Sequence, residues 1–82
     1  MVVLGPFNEH MVAEDQRPQY RTIRDMVAAW LAANRITHIV PDTLPSDDYA
    51  DASHPLTQGY AELARRIWAD PVFAAWLASP RR

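Results

Sequence analysis

Ile36-Thr37-His38-Ile39-Val40-Pro41 is the stretch on which the fold turns. Four of the five residues before the proline are β-branched, and Pro41, with no N–H to give a ladder, closes the run; residues 36–40 read as a strand. Immediately upstream, Tyr20, Ile23, Val27, Trp30 and Leu31 recur at spacings of three and four, the stripe of an amphipathic helix with Arg21, Arg24 and Asp25 mostly beside it. Pro18 suits the first turn of that helix because its missing N–H would be unpaired there anyway. Asn34, which tolerates the left-handed conformation of a helix end, is expected to stop it. Further upstream, Val2-Val3-Leu4 is an apolar run halted by Gly5-Pro6 and reads as a second, buried strand, with an irregular polar loop over residues 7–17. Strand, loop, helix and strand make a βαβ unit, which implies parallel strands.

Downstream of Pro41, residues 41–54 hold two prolines, four aspartates and two serines and must be a loop. Thr57 is the expected N-cap of a second helix, whose stripe is Tyr60, Leu63, Ala64, Ile67 and Trp68. Asp70-Pro71 breaks it, and Asp70 is placed to cap a short third helix carrying Val72, Phe73, Trp76 and Leu77. Trp30, Trp68, Phe73 and Trp76 lie at helical spacings and are expected in the core. The fold class is therefore α/β: a short parallel β-α-β unit followed by two C-terminal helices, within one partial domain over residues 1–82. Parallel strands are normally sheltered on both faces and at their edges, and two strands cannot shelter each other. The expectation is that further strands come from another polypeptide or from upstream sequence, or that the chain self-associates through its open edge, leaving some aromatics on the surface.

Eighty-two residues allow one domain with a small core, and 49% hydrophobic content excludes a disordered chain. The absence of cysteine removes disulfides and thiolate zinc sites from consideration. A formal charge of −2 without a basic stripe argues against nucleic acid, whose affinity rests on clustered positive charge. Arg65-Arg66 reads as a helix face and Arg81-Arg82 as a solvated tail. No apolar run approaches the roughly 18 residues of a membrane span, and residues 1–4 are too short for an export leader; the expectation is a soluble chain of undetermined compartment.

The chemistry is concentrated in Asp51-Ala52-Ser53-His54-Pro55, with Gly59 shortly after. An aspartate three residues before a histidine can hold the imidazole in one tautomer and steady its positive charge, as a serine hydrolase requires. The spacing alone would arise by chance in roughly one such chain in four. Its setting adds weight, because the pair follows a parallel strand, where open α/β sheets place their sites. Read structurally, Asp51 caps a local turn and His54 flanks a helix. Ser53 adjoins His54 and is expected to point away from it, Ser46 lacks the sharp turn that presents a nucleophile, and Ser79 ends the last helix. Glu9, His10, Glu14 and Asp15 lack an established metal-ligand spacing and read as a solvated loop, and His38 as a hydrogen-bonded strand residue.

Strand, helix, strand, then Asp-x-x-His-Pro-x-x-x-Gly-Tyr and a closing helix resembles the carboxyl-terminal half of the SGNH, or GDSL, hydrolase family of esterases, lipases and deacetylases. The resemblance covers nearly all of the chain and about the last two strands of that family's flavodoxin-like three-layer fold. It implies that Asp51 and His54 are the acid and base of a Ser-His-Asp triad, that the substrate is an ester or an acetylated small molecule or carbohydrate, and that no cofactor is needed. The family's Gly-Asp-Ser block and its Gly-x-Asn-Asp block have no counterpart here. The nucleophile and oxyanion donors are thus expected outside the chain; Asn8 follows the wrong strand for an oxyanion role and reads as a loop residue bonding its own backbone. The alternative is a small α/β interaction module without catalysis, docking through its strand edge and tryptophans.

Overall fold

In the computed structural model, which describes residues 1–80, Val2–Val3 (β1) and His38–Ile39 (β2) run parallel with Val2 opposite His38 and Val3 opposite Ile39. The Val2 amide donates to the Thr37 carbonyl at 2.8 Å and the Leu4 amide to that of Ile39 at 3.0 Å. Both strands are shorter than the runs that encode them. In this register Thr37 and Ile39 are the residues that turn their backbone groups to β1, and the Ile36 amide is given instead to the Leu31 carbonyl, at 2.9 Å, in the exit from the crossover helix.

That helix, Arg17–Ala33 (α1), starts where expected, with Pro18 in its first turn. Arg17 ties the preceding loop to the helix start: its Nε donates to the carbonyls of Glu9 at 3.0 Å and Val12 at 3.1 Å. The loop itself is less irregular than its sequence suggests, since Glu9–Met11 and Glu14–Gln16 are single 3-10 turns. The exit of α1 corrects the reading of Asn34, whose φ is −94°. Arg35 is the left-handed residue, at φ 57°. Its amide reaches the Ala32 carbonyl at 3.1 Å and that of Ile36 reaches Leu31, the paired bonds of a Schellman ending. Asn34 instead bonds the Trp30 carbonyl through Nδ2 at 2.8 Å.

After β2 come a loop with one 3-10 turn at Ser46–Asp48, then Thr57–Ala69 (α2) and Pro71–Ala78 (α3). Asp70 caps α3 as expected, its Oδ1 accepting from the Val72 amide at 2.8 Å. Thr57 does not cap α2: it is the first helical residue, and Leu56 stands at the cap position without a side-chain bond. Along α2, Glu62 accepts from Arg65 at 2.6 Å and from Arg66 at 3.1 Å, confirming the arginine pair as a helix face. These two guanidinium bonds hold the Glu62 carboxyl down at about 2. The Arg81-Arg82 tail lies outside the described residues.

α1 and α3 pack on β2, and α2 packs on α3. The buried hydrophobic residues are Leu31, Ile39, Leu44 and Tyr49, with Leu44 wholly enclosed. Two expectations fail at the periphery of this small core. Val2 and Val3 are each 36% exposed, and Trp30 and Trp68 are 59% and 72% exposed. Phe73 is half-buried, between Trp68 at 5.9 Å and Trp76 at 6.0 Å. The reason is supply of surface: two strands offer one narrow sheet, β2 receives the helices, and β1 and the outer helix flanks have nothing to lie against. The chain is accordingly a slab of 42 × 29 × 15 Å.

Candidate active-site loop

The loop carrying Asp51 and His54 is fastened to the rest of the chain through Tyr49, a residue the sequence reading passed over. Tyr49 is buried, and its hydroxyl donates to the Pro6 carbonyl, accepts from the Leu44 amide at 3.1 Å and lies 3.2 Å from Thr43 Oγ1. Thr43 Oγ1 also donates to the Phe7 carbonyl at 2.8 Å. One phenol thereby joins the loops that leave the carboxyl ends of β1 and β2. A buried tyrosine needs a partner for its hydroxyl, but nothing local in Asp48-Tyr49-Ala50 marks Tyr49 as buried.

Asn8 makes the second fastening. It is buried, its amide donates to the Ala52 carbonyl at 2.9 Å, and its Nδ2 reaches the Asp51 carbonyl at 3.4 Å. Its Oδ1 accepts from the His10 amide at 3.2 Å, the local backbone bond expected of it. Next to it, Glu9 is also buried, contrary to its reading as a solvated residue. Its carboxylate accepts from Arg21 Nε at 2.7 Å and lies 3.8 Å from Arg24, partners supplied by the polar flank of α1. His10 Nε2 lies 3.0 Å from the Leu44 carbonyl, and His38 Nδ1 is bonded within its own strand segment, 2.8 Å from the Ile36 carbonyl.

The far side of the loop rests on α2. Tyr49 and Pro55 form an isolated antiparallel bridge, the Leu56 amide donates to Asp48 at 2.7 Å, and Gly59 lies beneath. A Cβ at Gly59 would stand 2.5 Å from the Asp48 carbonyl oxygen and 2.9 Å from Pro55 Cβ. Close approach of loop and helix, and not a left-handed φ, is what requires glycine here.

Within this frame the Asp51 carboxylate does two things. Its Oδ1 accepts from the amides of Ser53 at 2.9 Å and His54 at 2.8 Å, closing an Asx turn. The same carboxylate meets His54 Nδ1, at 2.9 Å from Oδ1 and 3.0 Å from Oδ2. The Ser53 amide, then the imidazole and the His54 amide, hold the Asp51 carboxyl below the usual carboxylate range. An ionised carboxylate at Nδ1 selects the tautomer with its proton there and leaves Nε2 as a base. Nε2 makes no hydrogen bond among the described residues, and the His54 side chain is 70% exposed.

Ser53 departs from its expected position: Oγ lies 3.1 Å from His54 Nδ1 instead of pointing away. The Asx turn folds the segment back on itself, so the alternation of an extended strand does not apply. Ser53 shares the nitrogen that Asp51 already occupies, which is the wrong side of the ring for a nucleophile activated by Nε2. Clefts of about 310, 350 and 140 Å³ among the described residues lie at the β2–α2 junction, along α2 and α3, and between the end of β1 and α1; neither Asp51 nor His54 lines these. No group of three His, Asp or Glu side chains converges to hold a metal among the described residues. Nor is any of their helices long and apolar enough to cross a membrane. No protein-family model, curated protein or solved structure matches the chain.

Proposed function

We propose that this chain is the acid-and-base end of a serine hydrolase of the SGNH type, in a partial flavodoxin-like fold, acting on an ester or acetylated small molecule or carbohydrate. The reading is carried by one observation: an imidazole bonded through Nδ1 to an ionised carboxylate, with Nε2 open, on the loop that follows a parallel strand. In the reaction His54 Nε2 takes the proton of a hydroxyl nucleophile as that oxygen attacks the acyl carbon. The resulting imidazolium is steadied by Asp51 and returns the proton to the leaving alcohol or amine. Water, activated by the same nitrogen, then releases the acid. The nucleophile and the donors for the oxyanion come from residues outside this chain.

Two measurements test the proposal. Alone, the chain is expected to turn over a small activated ester no faster than His54→Ala; robust turnover lost in that variant would place a nucleophile within these residues. Joined to a polypeptide bearing a Gly-Asp-Ser segment and its strands, the chain is expected to support ester hydrolysis that falls about a thousandfold or more in His54→Ala. Equal turnover with and without His54 in the joined protein would overturn the assignment.

A further inference from the structure

The direction of two hydrogen bonds identifies a second functional surface. Val2 and Leu4 give their amides to β2. Successive residues of a strand present their backbone groups to opposite sides, so the N–H and C=O of Val3 face outward from the sheet. No partner for them occurs among the described residues. Beside β1 a flank of α1 is bare: Ile23 is 56% exposed and Val27 40%, while Leu4, Phe7, Tyr20 and Arg24, the last facing Glu9, complete a mostly apolar cleft of about 140 Å³ with them.

We infer that a second copy of this chain covers the edge, pairing β1 with β1 antiparallel about a twofold axis at Val3. Two features favour a like copy as the occupant. An outward-facing residue placed on a twofold axis forms the pair in which both N–H···O bonds are exchanged, so Val3 is complementary to itself. The same axis brings the two α1 flanks together on one face of a four-stranded sheet, apolar against apolar. The area also fits: a folded protein of 9.3 kDa is expected to expose about 5,000 Å², and this chain exposes 5865 Å². The difference is of the size of the ~800 Å² that each partner contributes to a stable interface, but it is summed over the whole surface, of which the β1 edge and the flank of α1 are one part. Pairing of this kind puts the two Asp51–His54 loops at opposite ends of the sheet and takes the β1 edge that the further strands of the proposed hydrolase would occupy, so it is a property of the chain by itself and is expected to be lost in the joined protein.

Sedimentation equilibrium of the intact chain, over about 5 to 500 µM, tests the assignment. A monomer–dimer equilibrium is expected. Val3→Pro, which deletes the outward N–H, and Ile23→Asp, which puts a charge on the bare flank of α1 at a position that burial does not constrain, are each expected to weaken it by about tenfold or more. Trp68→Asp, on α2 away from this edge, is expected to change it by less than about twofold. A wild-type chain that stays monomeric across the range overturns the assignment, as does an association that survives Ile23→Asp in a folded protein or that Trp68→Asp abolishes.

Discussion

Asp51 illustrates how one carboxylate serves structure and chemistry together. Its Oδ1 closes the Asx turn through two backbone amides, and the same carboxylate meets the imidazole, so the turn sets the ring's position while the charge sets its tautomer. The two duties separate on substitution. Asparagine keeps an oxygen for the turn and removes the charge, so Asp51→Asn is expected to keep the fold and shift neutral His54 from a proton on Nδ1 toward one on Nε2. Imidazole ¹⁵N chemical shifts read this directly, and an unchanged tautomer in Asp51→Asn would show that the carboxylate does not govern the ring. Because its native-state titration lies below the usual carboxylate range, Asp51 remains ionised at neutral pH. Its contribution is fully present above the ordinary carboxylate pKa and is lost as pH falls through the lowered one. The pair was legible in the sequence because both members lie within one turn. Tyr49 and Asn8 were not, because their partners at Pro6 and Asp51 are 43 residues away in each case and no local spacing encodes such a bond.

Among the elements, α2 and the exit of α1 show where local preference yields to packing. Alanine is the better helix former by about 1 kcal/mol, yet a methyl at Gly59 would stand 2.5 Å from a backbone oxygen that cannot step aside. Gly59→Ala is therefore expected to lower stability by about 1–3 kcal/mol, measured by urea unfolding, with the Asp51–His54 loop displaced first. Arg35 presents the opposite case. A non-glycine residue at φ 57° carries a left-handed cost of about 1 kcal/mol, which glycine does not bear. Arg35→Gly is expected to raise stability by about 0.5–1 kcal/mol, with the two Schellman bonds retained. The three α-helices and two strands of the described residues were legible from periodicity, β-branching and proline placement. What escaped was the boundary residue at two places: Asn34 against Arg35, and Thr57 against Leu56. At the first the bonds of the helix's own last turn decide, and at the second the Leu56 amide is given to Asp48; neither has a signature in composition.

At the level of the whole molecule, the decisive quantity is surface. An unfolded chain of this mass exposes about 13,500 Å², so folding to 5865 Å² removes only a little over half, the range in which small domains become marginal. The α/β layout was legible because hydrophobic period distinguishes strands from helices. That an incomplete sheet leaves some aromatics exposed was also legible; that these are Trp30 and Trp68, and that Val2 and Val3 join them, was not, because periodicity marks an apolar face without stating what lies against it. An isolated chain of this design is expected to be stable by no more than about 4 kcal/mol. Association through β1 would add to that by mass action, since only the folded form presents the edge. The urea midpoint of the wild-type chain is therefore expected to rise with protein concentration, by up to about 0.7 kcal/mol of stability per chain for each tenfold step once dimers predominate. Ile23→Asp is expected to remove the dependence while leaving the midpoint at low concentration nearly unchanged, because Ile23 is already exposed in the single chain. A midpoint independent of concentration in the wild type would mean that the bare edge of β1 does not couple association to folding.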